Sequence, residues 1–273
     1  MQREIFAFGP LWAETLFKFL GKKLIFDLDD ALFITRVNKN HKFKWDKASR
    51  VKLILNKVDL VIAGNTWLRD ECIKLGAKRA IQINVAEKVH SKNINNKINQ
   101  PLKVIWLGSP TTSKYLFLIE KQLKRIQDEM GIEINIIGGN PNDIFIFKYK
   151  SISWSQENQN KYLSISDVGL MPLAQEDWSK GKCGGKTRTY MANGVIPVVS
   201  NIGYNKDLIK HGVSGFLCSD ISDWVDAFYT LSNNLDLVTK IKKLNYLNVK
   251  SNFNPKKISK QIENMILDID INK

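Results

Sequence analysis

Cysteine is scarce in this chain, histidine equally so, and long apolar runs are missing. The three cysteines, Cys72, Cys183 and Cys218, are widely separated and form no CxxC pair. That argues against a disulfide framework or a zinc site. No apolar run approaches the roughly 20 residues needed to span a bilayer. The opening MQREIFAFGP lacks the charged-then-apolar order of a signal peptide. The expected compartment is therefore the cytoplasm. Only seven prolines occur in 273 residues, beside 10% aromatic and 44% hydrophobic content. Such a chain is not disordered, and it suits one large or two smaller domains. There is also no compact Lys/Arg block and no zinc-finger, RRM or KH signature, so no nucleic-acid partner is expected. The formal net charge is nevertheless +14. With lysine scattered over helical stretches as well as loops, that charge points to peripheral association with the anionic inner face of a membrane.

What the chain does have is alternation. EIFAF (4–8) reads as a strand and 11–20 as a helix, KLIFDL (23–28) as a strand and 43–56 as a helix. DLVIAG (59–64) is a strand, and NTWLRDECIKLGA (65–77) a helix with Asn65 as N-cap and Gly76 at its end. RAIQIN (79–84) is another strand. Residues 88–101 are Asn/Lys-rich, close on a proline and read as a linker. A second series follows, with strands at 102–109, 132–139, 150–155, 167–173 and 195–200. Helices are expected at 112–130, 186–193, 205–211, 221–232, 235–248 and 256–269. The pattern predicts an α/β fold of two Rossmann-like, doubly wound parallel sheets. The domains are 1–90, incomplete, and 102–252, with 253–273 forming a helix that packs back on the first. Ligands in such sheets bind outside the carboxyl ends of the strands, and a cleft between two halves is the default site.

Three loops in the second half carry chemistry. In WLGSPTTSKYL (106–116), Gly108, Ser109 and Thr112 precede Lys114 at a helix start. Backbone N–H groups, hydroxyls and an ammonium there suit phosphate; an ordinary capped helix start reads equally well. In GLMPLAQEDWSKGKCGGKTRTYMANGVIPVVS (169–200), Gly181, Gly184 and Gly185 free the backbone beside Lys182, Lys186 and Arg188, an arrangement suited to a diphosphate. In SNIGYNKDLIKHGVSGFL (200–217), Gly203, Tyr204 and Asn205 open another short helix, while His211 reads as a surface residue near its end.

The order and spacing of these loops resemble the retaining GT-B glycosyltransferases of family 4, YMANGVIPVVS being the most specific part. FDLDDALF after QREI is familiar from one branch of the same enzymes. The resemblance implies a hexosyltransferase with a nucleotide-diphosphate sugar as donor substrate, no cofactor and no obligatory metal. The acceptor would be a glycan, a lipid-linked or a small molecule. Lys114 and Lys186 would hold the leaving diphosphate, Gly203–Asn205 N–H groups would assist, and Trp154 would flank the base or pack in the core. The family's Glu-x7-Glu pair is lost: its second glutamate falls on Thr189, which can keep one ribose hydrogen bond. Glu176 or Asp177 would serve the donor sugar in place of the first, and the usual arginine of the first loop is Ser109. The family's opening βα units are also expected ahead of QREI, so a truncated product or an upstream fragment as partner is a further expectation.

LIFDLDDALF (24–33) itself allows two readings. Asp27-x-Asp29 after a strand resembles the nucleophile and acid of haloacid dehalogenase-type phosphatases, but the threonine two residues on is Ala31, and no later GD-x3-D or DD pair holds Mg²⁺. SDISDWVDA (219–227) reads as a helix start. In the transferase reading Asp29 and Asp30 face the acceptor or cap the following turn. A non-catalytic nucleotide-sugar binder or subunit is the remaining alternative.

Overall fold

A computed structural model describes residues 11–34, 47–89 and 98–271; the strand expected at 4–8 lies outside them. In chain order the elements begin with α1 (Trp12–Phe19), β1 (Ile25–Leu28), α2 (Lys47–Lys57), β2 (Leu60–Ala63), α3 (Thr66–Lys74) and β3 (Ala80–Gln82). Then come β4 (Lys103–Leu107), a 3₁₀ helix at Ser113–Ile119, α4 (Glu120–Met130), β5 (Glu133–Ile137), β6 (Lys150–Ile152), α5 (Gln156–Ile165) and β7 (Val168–Met171). The remainder is α6 (Asp177–Lys180), α7 (Gly185–Ala192), β8 (Ile196–Ser200), α8 (Asn205–Leu208), β9 (Phe216–Cys218), α9 (Ile221–Asn233), α10 (Leu235–Asn252) and α11 (Pro255–Ile271).

The chain divides into two compact units. The first gathers Met1–Ala86, Glu176–Cys183 and Lys256–Lys273; the second gathers Glu87–Gln175 and Gly184–Pro255. The short segment Glu176–Cys183, placed in the second domain by sequence order, thus clusters with the first.

The first unit holds a three-stranded parallel sheet in the order β1-β2-β3. β2 is buried along its whole length, as expected of a strand covered on both faces. Leu60 and Ile62 pack against Ile258, Met265 and Ile269 of α11. Phe26, Leu28, Val51, Ile54 and Leu68 build the opposite core. Asn65 caps α3 by accepting from Leu68 N at 2.7 Å, and Gly76 beyond its end takes φ +99°.

The second unit is a complete Rossmann-like sheet of six parallel strands, ordered β6-β5-β4-β7-β8-β9. β7 and β8 are wholly buried. α4 and α9 cover one face through Leu123, Ile126, Trp224 and Phe228, all on the main core. Asp167, just before β7, is buried and accepts from Asn99 N, Asn99 Nδ2 and Lys103 N. Burial pushes the Lys242 ammonium, 3.8 Å from Asp167, below its ordinary pKa against the attraction of that carboxylate. Three elements differ from the expected pattern, one of them the short α6, which falls in a stretch read as a loop. The helix expected from 112 is a tight 3₁₀ helix up to Ile119 and becomes α-helical only at Glu120. α5 was not foreseen, because its apolar residues are few; Ser155 caps it by accepting from Asn158 N at 3.0 Å.

Candidate nucleotide site

The strand order of the second unit reverses between β4 and β7: the chain runs outward from β4 to β6 and outward again from β7 to β9. Strand ends splay at such a reversal and leave a crevice outside their carboxyl ends. One residue holds that splay open. Tyr190 of α7 is fully buried, and its hydroxyl donates to Leu170 O on β7 and accepts from Leu107 N on β4, both at 3.1 Å. These two backbone groups are thereby satisfied where the strands diverge. Burial pushes the Tyr190 phenol well above its ordinary pKa, so it stays protonated and able to donate. Gly169 makes the room, since a Cβ there would lie 2.4 Å from the ring.

Gly108 follows β4. A Cβ on it would lie 2.2 Å from the Trp106 ring and 2.7 Å from Lys186 Nζ. The Lys186 ammonium lies 4.2 Å from the centroid of the buried Trp106 ring, a cation–π arrangement that fixes the charge at this strand end. Gly138, at the end of β5 with φ +70°, approaches so closely that a Cβ would be 2.5 Å from Gly108 O and 3.2 Å from Trp154 Cβ. Trp154 is 58% exposed and its indole N–H donates to Gln159; it is not a core residue. Gly108, Lys186, Gly138 and Trp154 therefore converge at the carboxyl end of the sheet.

Ser109–Thr112 form a turn: Thr112 N donates to Ser109 O at 2.9 Å, and Ser109 N donates to Thr112 Oγ1 at 3.2 Å. Lys114 is exposed, with its ammonium 5.8 Å from the Tyr115 ring centroid. Ser113 is buried and bonded to Asp143 and Asn140 N, a structural role. Gly184, at φ +65°, is the N-cap of α7, and Gly185 begins it. Asn205 is buried and structural: its Oδ1 accepts from Thr187 Oγ1 and its Nδ2 donates to Ser200 O. Gly203 has φ +55° and Tyr204 is buried beside it. His211 Nδ1 accepts from Leu217 N at 3.2 Å and braces a turn. Thr189, half-exposed on α7, donates to Glu87 Oε2 at 2.9 Å. Glu87 carried no signal of its own, standing just ahead of the linker-like stretch that begins at residue 88.

The acidic segment of the first unit is arranged differently. Asp30 accepts from Lys182 at 2.8 Å. The Cys183 thiol donates to Asp29 O at 2.9 Å. Gly181 sits so close that a Cβ would be 2.5 Å from Ala31 Cβ. Asn65 Nδ2 donates to Lys180 O and Lys182 O, both at 3.1 Å. FDLDDALF and the α3 cap thus clasp the segment Glu176–Cys183. Glu176 is exposed at the start of α6 in this unit; Lys186 and Lys114 belong to the other. Asp27 is half-buried on β1, and burial, with the charge of Asp29, pushes its carboxyl above the ordinary range. Among the described residues no group of three or more His, Cys, Asp or Glu side chains could hold a metal ion, and no helix is long and apolar enough to cross a membrane.

The glycines and the fixed cation thus lie at the switch point, where ligands bind in open parallel sheets of this kind. Residues 101–234, just under half of the chain and most of the second unit, match the family model described as glycosyl transferases group 1. Solved GT-B glycosyltransferases share the fold. HepE from Anabaena, solved with UDP-glucose, aligns with a TM-score of 0.72 at 14% identity over 94% of this chain and 75% of its own. TarM from S. aureus aligns with 0.69 at 14% identity, over 89% of this chain but half of its own. The pneumococcal O-GlcNAc transferase GtfA, in complex with UDP and GlcNAc, gives 0.68 at 13%, over 91% and 53%. No curated protein matches the chain at a significant level.

Proposed function

We propose that the chain is a retaining hexosyltransferase that takes a sugar from a nucleotide-diphosphate donor and passes it to a glycan, lipid-linked or small-molecule acceptor. The observation that carries this reading is Lys186, held over Trp106 beside Gly108 at the switch point of a family-matching sheet. Cleaving a sugar–phosphate bond leaves negative charge on a diphosphate. A fixed cation in a partly desolvated crevice stabilises that charge without reorganising at the moment of reaction. Lys114 and the N–H groups of Gly203–Asn205 would assist, and Trp154 is exposed where a base could stack. Glu176 is our candidate for the donor sugar and Asp29 for the acceptor side. The Lys182 pairing of Asp30 supports a structural role for that residue. HepE and GtfA being solved with UDP-glucose and UDP supports a uridine nucleotide as the first probe.

Titration calorimetry with UDP, GDP and ADP tests the site. Lys186→Ala is expected to weaken the best binder by about tenfold to a hundredfold, the value of a charge-assisted contact. Absence of binding by every nucleotide would overturn the reading. Nucleotide release from a labelled donor separates a transferase from a mere binder. Mg²⁺-dependent phosphate release that Asp27→Asn abolishes would favour the phosphatase instead.

The proposed setting is an anionic membrane surface. Trp12, Leu16, Phe19 and Leu20 of the α1 region are exposed, and Lys22, Lys23 and Lys52 are exposed around them. Aromatic and apolar side chains flanked by lysines suit a headgroup interface. Co-sedimentation with phosphatidylglycerol vesicles, lost in Trp12→Ser/Phe19→Ser, is the expected result; equal recovery with neutral vesicles would contradict it.

A further inference from the structure

We infer that Gln159 selects the base of the nucleotide: it favours bases with a carbonyl beside a ring N–H, such as uracil and guanine, over the amino bases cytosine and adenine. The inference rests on the nucleotide site read above, with Trp154 as the surface on which the base stacks, and it names the class of donor that site takes.

Three observations carry it. Trp154 has a fixed place after β6: Gly138 N donates to Ile152 O at 2.9 Å, and a Cβ on Gly138 would lie 3.2 Å from Trp154 Cβ. The start of α5 is tied to the same loop, since Gln159 N donates to Ser155 O and Asn158 Nδ2 donates to Ser153 O, both at 2.9 Å. The Trp154 indole N–H then donates to Gln159 Oε1 at 3.0 Å. The Gln159 side chain is half-buried and makes no other hydrogen bond among the described residues.

An indole N–H only donates, whereas an amide has one accepting end and one donating end. The pair therefore has one good orientation. With Oε1 turned to the indole, Nε2 faces away from it; the reverse would set two donors against each other. A free glutamine suits either kind of base by flipping its amide, and Trp154 removes that freedom. A base stacked on the exposed face of Trp154 brings its edge to this amide. Nε2 can donate to O4 of uracil or O6 of guanine, and the second lone pair of Oε1 can accept from the neighbouring ring N–H. Cytosine and adenine present the reverse there, an amino donor beside an unprotonated ring nitrogen. They would meet donor with donor, and the flipped amide that suits them loses the indole bond.

Titration calorimetry on the full chain tests this with bases that differ only at that edge: UDP against CDP, and inosine diphosphate against ADP. In whichever pair binds, the wild-type chain is expected to prefer the carbonyl base by about tenfold or more. Gln159→Ala should bring the two within about twofold of each other, and Gln159→Glu, an acceptor only, should reverse the preference. Trp154→Phe keeps a ring to stack on but removes the N–H that holds the amide, so the amino base should gain on the carbonyl base. Lys186→Ala should weaken both members of a pair alike. If the wild type binds both members equally or prefers the amino base, the assignment of Gln159 fails while the site stands. The same holds if Gln159→Ala or Trp154→Phe leaves the ratio unchanged. If no nucleotide binds, or Lys186→Ala alters none of the affinities, the site itself fails and Gln159 with it.

Discussion

Both units end a buried parallel strand in a loop that carries chemistry, and they use that position in opposite ways. In the first unit β1 runs into Asp29 and Asp30, and the chain's own Lys182, Cys183 and Gly181 fill the space beside them. In the second, β4 runs into Gly108, which has no side chain, and a lysine is held alongside by the Trp106 ring. Charge at a strand end thus marks a structural clasp in one case and a candidate ligand position in the other. The difference lies in what fills the crevice. β4 and β7 pair only at Val104–Val168 and Ile105–Gly169, so their carboxyl ends diverge at the reversal, whereas β1, β2 and β3 follow one another without a reversal among the described residues.

Four substitutions separate the two arrangements, from the largest expected effect to the smallest. Arg50 and Glu14 form a buried ion pair at 3.1 Å joining α2 to α1. Arg50→Met would strand the carboxylate in the core at a cost of about 3–5 kcal/mol. Hydrogen exchange should accelerate in α1 and β1, and a second change, Glu14→Leu, should restore most of the protection. Tyr190→Phe would leave Leu107 N and Leu170 O without their bridge, costing about 1–3 kcal/mol. Its signature is faster exchange at Leu107 and weaker nucleotide binding, with α1 unaffected. Asp30→Asn breaks a partly exposed pair and should cost at most about 1 kcal/mol. Protease cleavage near Lys180–Lys182 is the sensitive readout, and unchanged nucleotide affinity would mark the clasp as structural. Asp27→Asn should act in the opposite direction. The folded-state pKa of Asp27 is raised, so its contribution to stability falls as pH rises from about 3.8, the ordinary carboxylate value, through that raised pKa. The variant should melt slightly higher at neutral pH and match the wild type below about pH 3.8. A variant less stable at pH 7 would show that Asp27 is paired in a way the strand geometry does not provide.

Much of this architecture was legible beforehand. Short continuous apolar runs such as VIWL and PVVS suit strands covered on both faces, and the Asn65 cap is a local event within three residues of chain. Glycines and lysines clustered at 181–188 pointed to anion binding, and Lys186 and Gly108 do meet. Less visible were features that depend on partners distant in sequence. The α5 helix has too few apolar residues to announce itself and is stabilised by its cap and by Tyr162 and Leu163 on the sheet. The 3₁₀ form of Ser113–Ile119 goes with a buried Ser113 tied to Asp143, thirty residues away.

The sequence by itself determined the parallel α/β class, the strand-end loops and the residue types able to hold a phosphate, because backbone hydrogen bonding and apolar periodicity act over a few residues. Only the tertiary structure decided which of those charges stay beside an opening. Asp30 is met by Lys182 across more than 150 positions, and Glu87 meets Thr189 across more than 100. Pairings at that range come from how the sheet twists and the helices pack, which no local pattern encodes.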